Sequence, residues 1–227
     1  MATYVLVHGA WGSGWGYRET ARALRSAGHD VHVVTLTGLG ARRHLLSPAI
    51  DLSLHVRDVL GVLETERLED VILVGHSYGG MVITGVSAMA AERIRSLVYV
   101  DAFVPRDGQC LWDLADDATR AHFIASQRAH PGLVEPLPLP PGTPPRPRSP
   151  HPFASLVEPV TLTGAEQAIR RRTYVYADSG APTAFDRFRD ALKDDPAWTL
   201  VSLKSGHMVM TDNPDGLHKV LVDEAAH

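Results

Sequence analysis

Short apolar runs and longer helical patterns alternate along the chain. The runs are rich in β-branched residues, as in strands buried on both faces of a parallel sheet, and they cover residues 3–7, 31–36, 70–74, 97–100, 173–177 and 198–203. The helical patterns between them cover residues 17–27, 53–67, 81–91, 182–192 and 214–225. Ser53 is the predicted N-cap of the second helix. This order predicts an α/β protein with a mainly parallel, six-stranded sheet that carries helices on both faces.

The alternation breaks off between about residues 104 and 165. This stretch is rich in proline over residues 131–152, and residues 136–141 cannot form a helix or a central strand because proline has no N–H to donate. A disordered loop and an ordered cap over the end of the sheet are the two interpretations. The cap is favoured because the stretch has large apolar side chains to bury, namely Trp112, Leu114, Phe123 and Phe153. We therefore expect a single domain over residues 1–227, with a cap insertion at about 104–165.

Composition and charge exclude several classes of function. The chain has 227 residues, of which 44% are hydrophobic and 21% are charged, so one ordinary globular core is expected. Its net charge is −4 and no basic patch stands out, so nucleic acid is not an expected partner. The single cysteine, Cys110, cannot form an internal disulfide, and no signal peptide or membrane span is visible. We expect a cytoplasmic protein without a membrane partner, and a homodimer is compatible with these features.

The motif G-x-S-x-G stands between the third predicted strand and an apolar helical stretch. Its members are Gly75, Ser77 and Gly79. A strand, a sharp turn and a helix are the context in which this motif lifts a serine hydroxyl out of the end of a sheet. The amide of Tyr78 then lies at the helix N-terminus, where unpaired N–H groups favour a developing negative charge. Ser77 is therefore the candidate nucleophile, with a purely structural cap residue as the alternative.

A serine nucleophile needs a base, and the base needs a carboxylate to orient it. Of the twelve histidines, His207 alone follows the last predicted strand behind a glycine, where a loop can bring it over the serine. His8 and His76 are expected to be packing residues or part of the wall of the site, and the other histidines are expected at the surface or in the cap. Asp178 and Asp101 each follow a predicted strand, and position favours Asp178 as the acid, with Asp101 as the alternative.

The remaining site residues are expected from the loop after the first strand and from the cap. An oxyanion hole needs two amide donors, and the tight turn at Gly9 lets Ala10 supply the second beside Tyr78. The predicted wall of the substrate pocket consists of Trp11, His76, Phe103 and Trp112. The histidines do not form an H-E-x-x-H pattern, so no metal is expected in the site. Such a wall suits a moderately apolar acyl or alcohol group.

These motifs are spread over residues 8–11, 38–40, 75–80, 101–105 and 206–207. Together they resemble the α/β-hydrolase fold, and more narrowly the small bacterial carboxylesterases related to plant methylesterases and hydroxynitrile lyases. The resemblance implies a carboxylesterase that cleaves a small-molecule ester through an acyl-enzyme and needs no cofactor. In that group the acid lies a little under thirty residues before the catalytic histidine, and 29 residues separate Asp178 from His207. The group's second oxyanion amide falls on Ala10.

Two positions depart from the lyase branch of this group. Hydroxynitrile lyases carry a threonine where this chain has Gly9, and a lysine where Met208 follows His207. A lyase needs that cation to accept the charge of cyanide, so ester hydrolysis is the expected reaction. A ligand-binding protein with a slow or inert triad stays open, as does a lactone or amide hydrolase. A nucleotide-dependent reductase is disfavoured because Tyr17 occupies the third glycine position of G-x-G-x-x-G.

Overall fold

The main sheet is built from six parallel strands. The computed structural model describes residues 1–139 and 147–226, and within them the strands are β1 (Thr3–Val7), β2 (Asp30–Val34), β3 (Val71–His76), β4 (Ile94–Val100), β5 (Leu133–Val134), β6 (His151–Pro152), β7 (Arg171–Asp178) and β8 (Thr199–Lys204). The sheet has the order β2-β1-β3-β4-β7-β8 with parallel neighbours throughout, while β5 and β6 form a separate antiparallel ribbon. The predicted six-stranded parallel sheet is therefore confirmed.

Helices flank the sheet on both faces. In the described part of the chain they are α1 (Arg18–Ser26), α2 (Leu52–Thr65), α3 (Gly79–Met89), α4 (Leu111–Leu114), α5 (Asp117–Ala129), α6 (Ala154–Val157), α7 (Asp186–Leu192), α8 (Val209–Asp212) and α9 (Pro214–Ala225). The helix predicted from residue 182 thus begins only at Asp186. None of these described helices is long and apolar enough to pass through a membrane.

The N-terminus of α2 corrects one local prediction. Asp51 is the N-cap, and its carboxylate accepts a hydrogen bond of 2.7 Å from the amide of Leu54. The predicted cap, Ser53, lies instead in the first turn, where its amide and its hydroxyl both donate to the carboxylate of Glu158. Aspartate and serine cap equally well, so the choice depends on a contact 105 residues away in the sequence, which the local pattern does not contain.

Two apolar cores lie on opposite faces of the sheet. On one face, α1 and α9 pack with side chains that include Leu6 and Val74. On the other face, α2 and α3 pack with side chains that include Val5 and Leu73. Neighbouring residues of one strand thus point into opposite cores, which explains why the strands are apolar throughout instead of alternating. Each fully buried side chain of this size contributes about 1.5–3 kcal/mol to stability.

The carboxyl ends of the central strands meet at one edge of the sheet. β3 pairs with β4 up to His76 and Val100, and β7 pairs with β8 up to Asp178 and Lys204. The amide of Ser77 then donates to the carbonyl oxygen of Val100 at 3.3 Å. This register brings together the residues that follow β1, β3, β4 and β8, at the edge where open α/β sheets bind their ligands.

The segment between β4 and β7 covers this edge. Its helices α4, α5 and α6 and the β5–β6 ribbon bury apolar side chains such as Leu111, Phe123, Val134 and Leu156. We call the described part of this segment, residues 104–139 and 147–165, the cap. Residues 136–139 belong to no helix or strand, as their prolines predict, and residues 140 and 141 lie outside the described residues.

Candidate active site

Ser77 occupies a strained turn between β3 and α3. Its φ is +55°, in the left-handed region that costs a residue with a Cβ about 1–2 kcal/mol. The flanking glycines are required by close backbone contacts. A Cβ at Gly75 would lie 2.6 Å from the carbonyl oxygen of Gly79, and a Cβ at Gly79 would lie 2.7 Å from that of Val7. This is the predicted strand–turn–helix arrangement, and Ser77 lies in the wall of a cavity at the sheet edge.

The two predicted oxyanion donors line the same cavity as Ser77. Gly9 has no room for a side chain, because a Cβ there would lie 2.8 Å from the Cβ of Ser77. The loop after β1 therefore runs against the serine, and both Ala10 and Tyr78 line the cavity. Within residues 1–139 and 147–226, neither the Ala10 amide nor the Tyr78 amide donates to a protein acceptor. Two such donors in the cavity of a serine hydroxyl are what a developing oxyanion needs.

His207 is held by a buried carboxylate. The Nδ1–H of His207 donates to Oδ2 of Asp101 at 2.6 Å, and the Asp101 side chain is only 1% exposed. The second oxygen, Oδ1, accepts a hydrogen bond of 3.2 Å from the amide of Ala177. The imidazole also stacks on Phe185, with the ring centroids 4.8 Å apart. Because Nδ1 is engaged with the carboxylate, Nε2 is left to act as a base.

Asp178, the acid favoured by sequence position, makes no hydrogen bond to His207. It is exposed at the end of β7, and its Oδ1 accepts from the amide of Gly180 at 3.1 Å. The chain turns there with a φ of +77° at Gly180, so the turn itself uses the carboxylate. The sequence favoured Asp178 as the partner of His207, but the structure pairs His207 with Asp101. The signal in the sequence was the place of Asp101 directly after an apolar strand, where a buried charge needs a partner.

A second histidine supports the loop that carries His207. The Nε2–H of His76 donates to the backbone carbonyl oxygen of His207 at 2.9 Å, and the two rings are 4.6 Å apart. His76 is buried as the last residue of β3, directly before Ser77. His76, which was expected in the wall of the site, therefore also connects the loop that carries His207 to β3, the strand that precedes Ser77.

The site opens into a cavity of about 340 Å³. Trp11, His76 and Phe103 line it, but the described wall does not include Trp112, whose ring packs inside the cap 6.3 Å from the rings of Phe123 and Phe153. The wall also contains apolar residues that sequence reasoning missed, namely Leu111, Leu137, Leu139, Leu156, Phe185, Met208 and Met210. The local pattern of a cap shows which residues are apolar, but not which of them face the site. Within the described residues, no cluster of His, Cys, Asp and Glu side chains is arranged to hold a metal ion.

His8, His55 and His151 are three further buried histidines. His55 donates from Nε2 to the carbonyl of Thr37 at 3.0 Å and accepts at Nδ1 from the hydroxyl of Tyr78 at 2.8 Å. The ring of His151 lies 4.7 Å from that of Tyr78. Burial lowers the pKa of His8 to about 4, lowers that of His55, and holds the pKa of His151 well below its usual value. All three are therefore neutral near pH 7, and His55 lies in the core instead of at the expected surface or cap position.

We expect the protein to lose stability between pH 7.5 and pH 5. An unfolded histidine binds a proton near pH 6.5, whereas folded His8 does so only near pH 4, so the unfolded state gains protons first as the pH falls. His8 alone then lowers the free energy of unfolding by about 2 kcal/mol at pH 5. Urea denaturation at several pH values measures this loss in a range where most carboxylates stay ionised.

A pair of histidine variants isolates this effect. His8→Gln should flatten the dependence of the unfolding free energy on pH, because the glutamine keeps an acceptor for the amide of Leu36 without a titrating group. His44→Gln is the matched control at an exposed histidine and should leave the dependence unchanged. A wild-type stability that stays constant from pH 7.5 to pH 5 would contradict the prediction.

The chain matches a known protein family over most of its length. The matching family model is described as the alpha/beta hydrolase family and covers residues 4–220. A relative named carbendazim hydrolyzing esterase, from Nocardioides sp. (strain SG-4G), is 44% identical, with 97% of this chain and 98% of the relative covered. A relative named putative methylesterase 15, chloroplastic, from Arabidopsis thaliana, is 25% identical, with 97% of this chain and 56% of the relative covered.

Solved structures share the fold. An extracellular alpha/beta-hydrolase from a Paenibacillus species, described as structurally and functionally homologous to tobacco salicylic acid binding protein 2, has a TM-score of 0.85 and 24% identity, with 99% of both chains covered. A pyrethroid hydrolase from Sphingobium faniae JZ-2 has a TM-score of 0.73 and 21% identity, with 99% of this chain and 97% of the other covered. At these identities the likeness concerns the fold alone.

Proposed function

The chain belongs to the alpha/beta hydrolase family and is an esterase of the carboxylesterase type, and from that premise we propose that Ser77, His207 and Asp101 are its catalytic triad. Oγ of Ser77 attacks the ester carbonyl carbon while Nε2 of His207 takes the hydroxyl proton. Asp101 orients the imidazole and stabilises the imidazolium that forms. The amides of Ala10 and Tyr78 receive the negative charge on the former carbonyl oxygen.

The second half of the reaction releases both products. His207 gives its proton to the departing alcohol, and the acyl group stays on Ser77 as an ester. His207 then takes a proton from a water molecule as the water oxygen attacks the acyl carbon. The same amides stabilise the second tetrahedral intermediate, and its collapse returns the proton to Ser77 and frees the carboxylic acid. The cycle consumes one ester and one water molecule and regenerates the enzyme, so its steps call for no cofactor.

One observation supports this assignment above the others. The hydrogen bond of 2.6 Å joins His207 to a carboxylate that is almost completely buried, and the histidine lines the same cavity as the strained serine. A buried carboxylate is costly unless it is paired and hydrogen-bonded. A catalytic role accounts for the pairing of this buried carboxylate with a histidine that lines the cavity of the serine.

The cavity supports a small to medium, moderately apolar ester as the substrate. Its volume of about 340 Å³ is near the lower end for small-molecule sites, and its wall is rich in aromatic and aliphatic side chains. Met208 offers no cation beside His207, and Gly9 has no room for a side chain, which supports hydrolysis over cyanohydrin cleavage. The name of the 44% identical relative makes carbendazim a compound to assay. A cytoplasmic location and a homodimer stay predictions from the sequence.

Pre-steady-state kinetics test the acyl-enzyme route. With p-nitrophenyl esters from acetate to octanoate, we expect a burst of p-nitrophenol close to one equivalent per enzyme whenever deacylation is slower than acylation. A fluorophosphonate should block turnover and label Ser77, located by mass spectrometry of the labelled peptide. Label on another residue would overturn the assignment of the nucleophile. A folded protein without turnover and without label would point to a ligand-binding protein on the same fold.

A further inference from the structure

Trp11 joins the loop after β1, which carries Ala10, to the cap. It follows Ala10 directly, and its φ is +60°, in the left-handed region that disfavours a large side chain. A residue with a Cβ keeps this conformation only where surrounding contacts outweigh a cost of about 1–2 kcal/mol. Contacts with the cap hold Trp11 in this conformation.

Three hydrogen bonds connect Trp11 to the cap. Its indole Nε1–H donates to the carbonyl of Val134 at 2.9 Å, and its amide donates to Nδ1 of His151 at 3.4 Å. Its own carbonyl accepts from the amide of Ser149 at 3.1 Å. Val134 and His151 pair with each other across the β5–β6 ribbon, so a single cap element holds both the backbone and the side chain of Trp11.

The acceptor in this contact is itself held in place. His151 is fully buried, and its Nε2–H donates to the hydroxyl of Ser155 at 2.9 Å. That hydroxyl donates in turn to the carbonyl of Pro152 at 2.8 Å, which leaves Nδ1 of His151 as an acceptor for the Trp11 amide. The indole ring also packs against Phe123 and His151, with centroids 6.5 and 6.2 Å away. The cap thus holds Trp11 through hydrogen bonds and through ring contacts.

Ala10 lies between this anchor and a glycine. The Ala10 amide shares a peptide plane with the carbonyl of Gly9, which accepts hydrogen bonds from Nδ1 of His8 at 2.8 Å and from the amide of Gly12 at 3.3 Å. Trp11 holds the chain on the other side of Ala10, so the position of the amide depends on these bonds and on the contacts of Trp11 with the cap. An oxyanion donor is effective only if it already points at the place where the charge develops. A shift of about 1 Å in such a group costs up to roughly a hundredfold in rate.

We propose that Trp11 is a positioning residue through which the cap holds the Ala10 amide in the oxyanion hole. The inference rests on the proposed function, since it assigns the oxyanion role to Ala10. It makes the cap part of the catalytic apparatus as well as a wall of the substrate cavity. Loosening Trp11 should therefore weaken the enzyme's hold on the tetrahedral intermediate more than its hold on the substrate.

Trp11→Phe tests the proposal, with Trp112→Phe as the matched control. The phenylalanine keeps an aromatic ring and removes the Nε1–H bond to Val134. Trp112 packs inside the same cap, and the described cavity wall does not include it. For Trp11→Phe we expect kcat to fall by about 10- to 100-fold with KM changed less than threefold. Trp112→Phe should keep kcat within about twofold of the wild type.

Inhibitor binding separates positioning from a structural effect. A trifluoromethyl ketone, which forms a tetrahedral oxyanion on the serine, should bind Trp11→Phe more weakly by the same factor as kcat falls. The alcohol product, which carries no negative charge for the oxyanion amides to stabilise, should bind unchanged. A fall in kcat without a matching loss of ketone affinity, or an equal loss for the product, would overturn the proposal.

A second variant keeps the test decisive if Trp11→Phe does not fold. His151→Phe removes the acceptor of the Trp11 amide and should show the same split between kcat and KM. Ser77→Ala distinguishes the two proposals. If Ser77→Ala is inactive while Trp11→Phe and His151→Phe both behave as the wild type, only the inference about Trp11 fails. If Ser77→Ala stays active, the proposed function fails first.

Discussion

Ser77→Ala is expected to lower kcat for p-nitrophenyl esters by about four to six orders of magnitude, without unfolding the protein. The alanine removes the only group proposed to form the acyl-enzyme, so hydrolysis falls back on water held near the oxyanion amides. The backbone at this position keeps its φ of +55°, and alanine meets the same steric cost there as serine. The melting temperature should therefore change little.

The measurement is steady-state hydrolysis by the wild type and Ser77→Ala side by side, with circular dichroism to show that both are folded. Ser179→Ala, at an exposed serine outside the described cavity wall, is the matched control and should keep full activity. Full esterase activity in a folded Ser77→Ala protein would contradict the assignment of Ser77 as the nucleophile.

Asp101→Asn is expected to lower kcat by about three to four orders of magnitude. An asparagine can still accept the Ala177 amide through its oxygen, and its NH₂ group then faces Nδ1 of His207. That donor stabilises the imidazole tautomer whose proton is on Nε2, which cannot accept the serine proton. The variant should also lose the negative charge that stabilises the imidazolium. Binding of the substrate should change much less than kcat.

Asp178→Asn is the matched control for the acid. Its carboxylate is exposed and accepts a hydrogen bond from the following turn, so kcat should stay within about twofold of the wild type. Kinetics of both variants on one ester decide between the two carboxylates. A large loss in Asp178→Asn together with an active Asp101→Asn would restore the acid favoured by sequence position and leave the role of Ser77 untouched.

The sheet, the serine turn and the candidate histidine could be predicted from the sequence. Apolar runs identify strands buried on both faces, because such strands have no solvent side to carry polar residues. Ser77 stands out because the turn needs glycines at fixed offsets, which are local backbone demands. His207 stands out because the carboxyl ends of parallel strands meet at one edge, so a histidine after the last strand reaches the site.

Which carboxylate meets His207, which side chains line the cavity and which residue caps α2 depend on tertiary contacts. Asp101 and Asp178 each follow a strand, and which of them meets His207 depends on where neighbouring strands end and how the next turn uses its own polar groups. Trp112 packs against other side chains of the cap, whereas Trp11 donates a hydrogen bond to the β5–β6 ribbon. Local periodicity reports which residues are buried. It does not report which residue, distant in the sequence, each of them meets, because that depends on packing between elements that the chain brings together only when it folds.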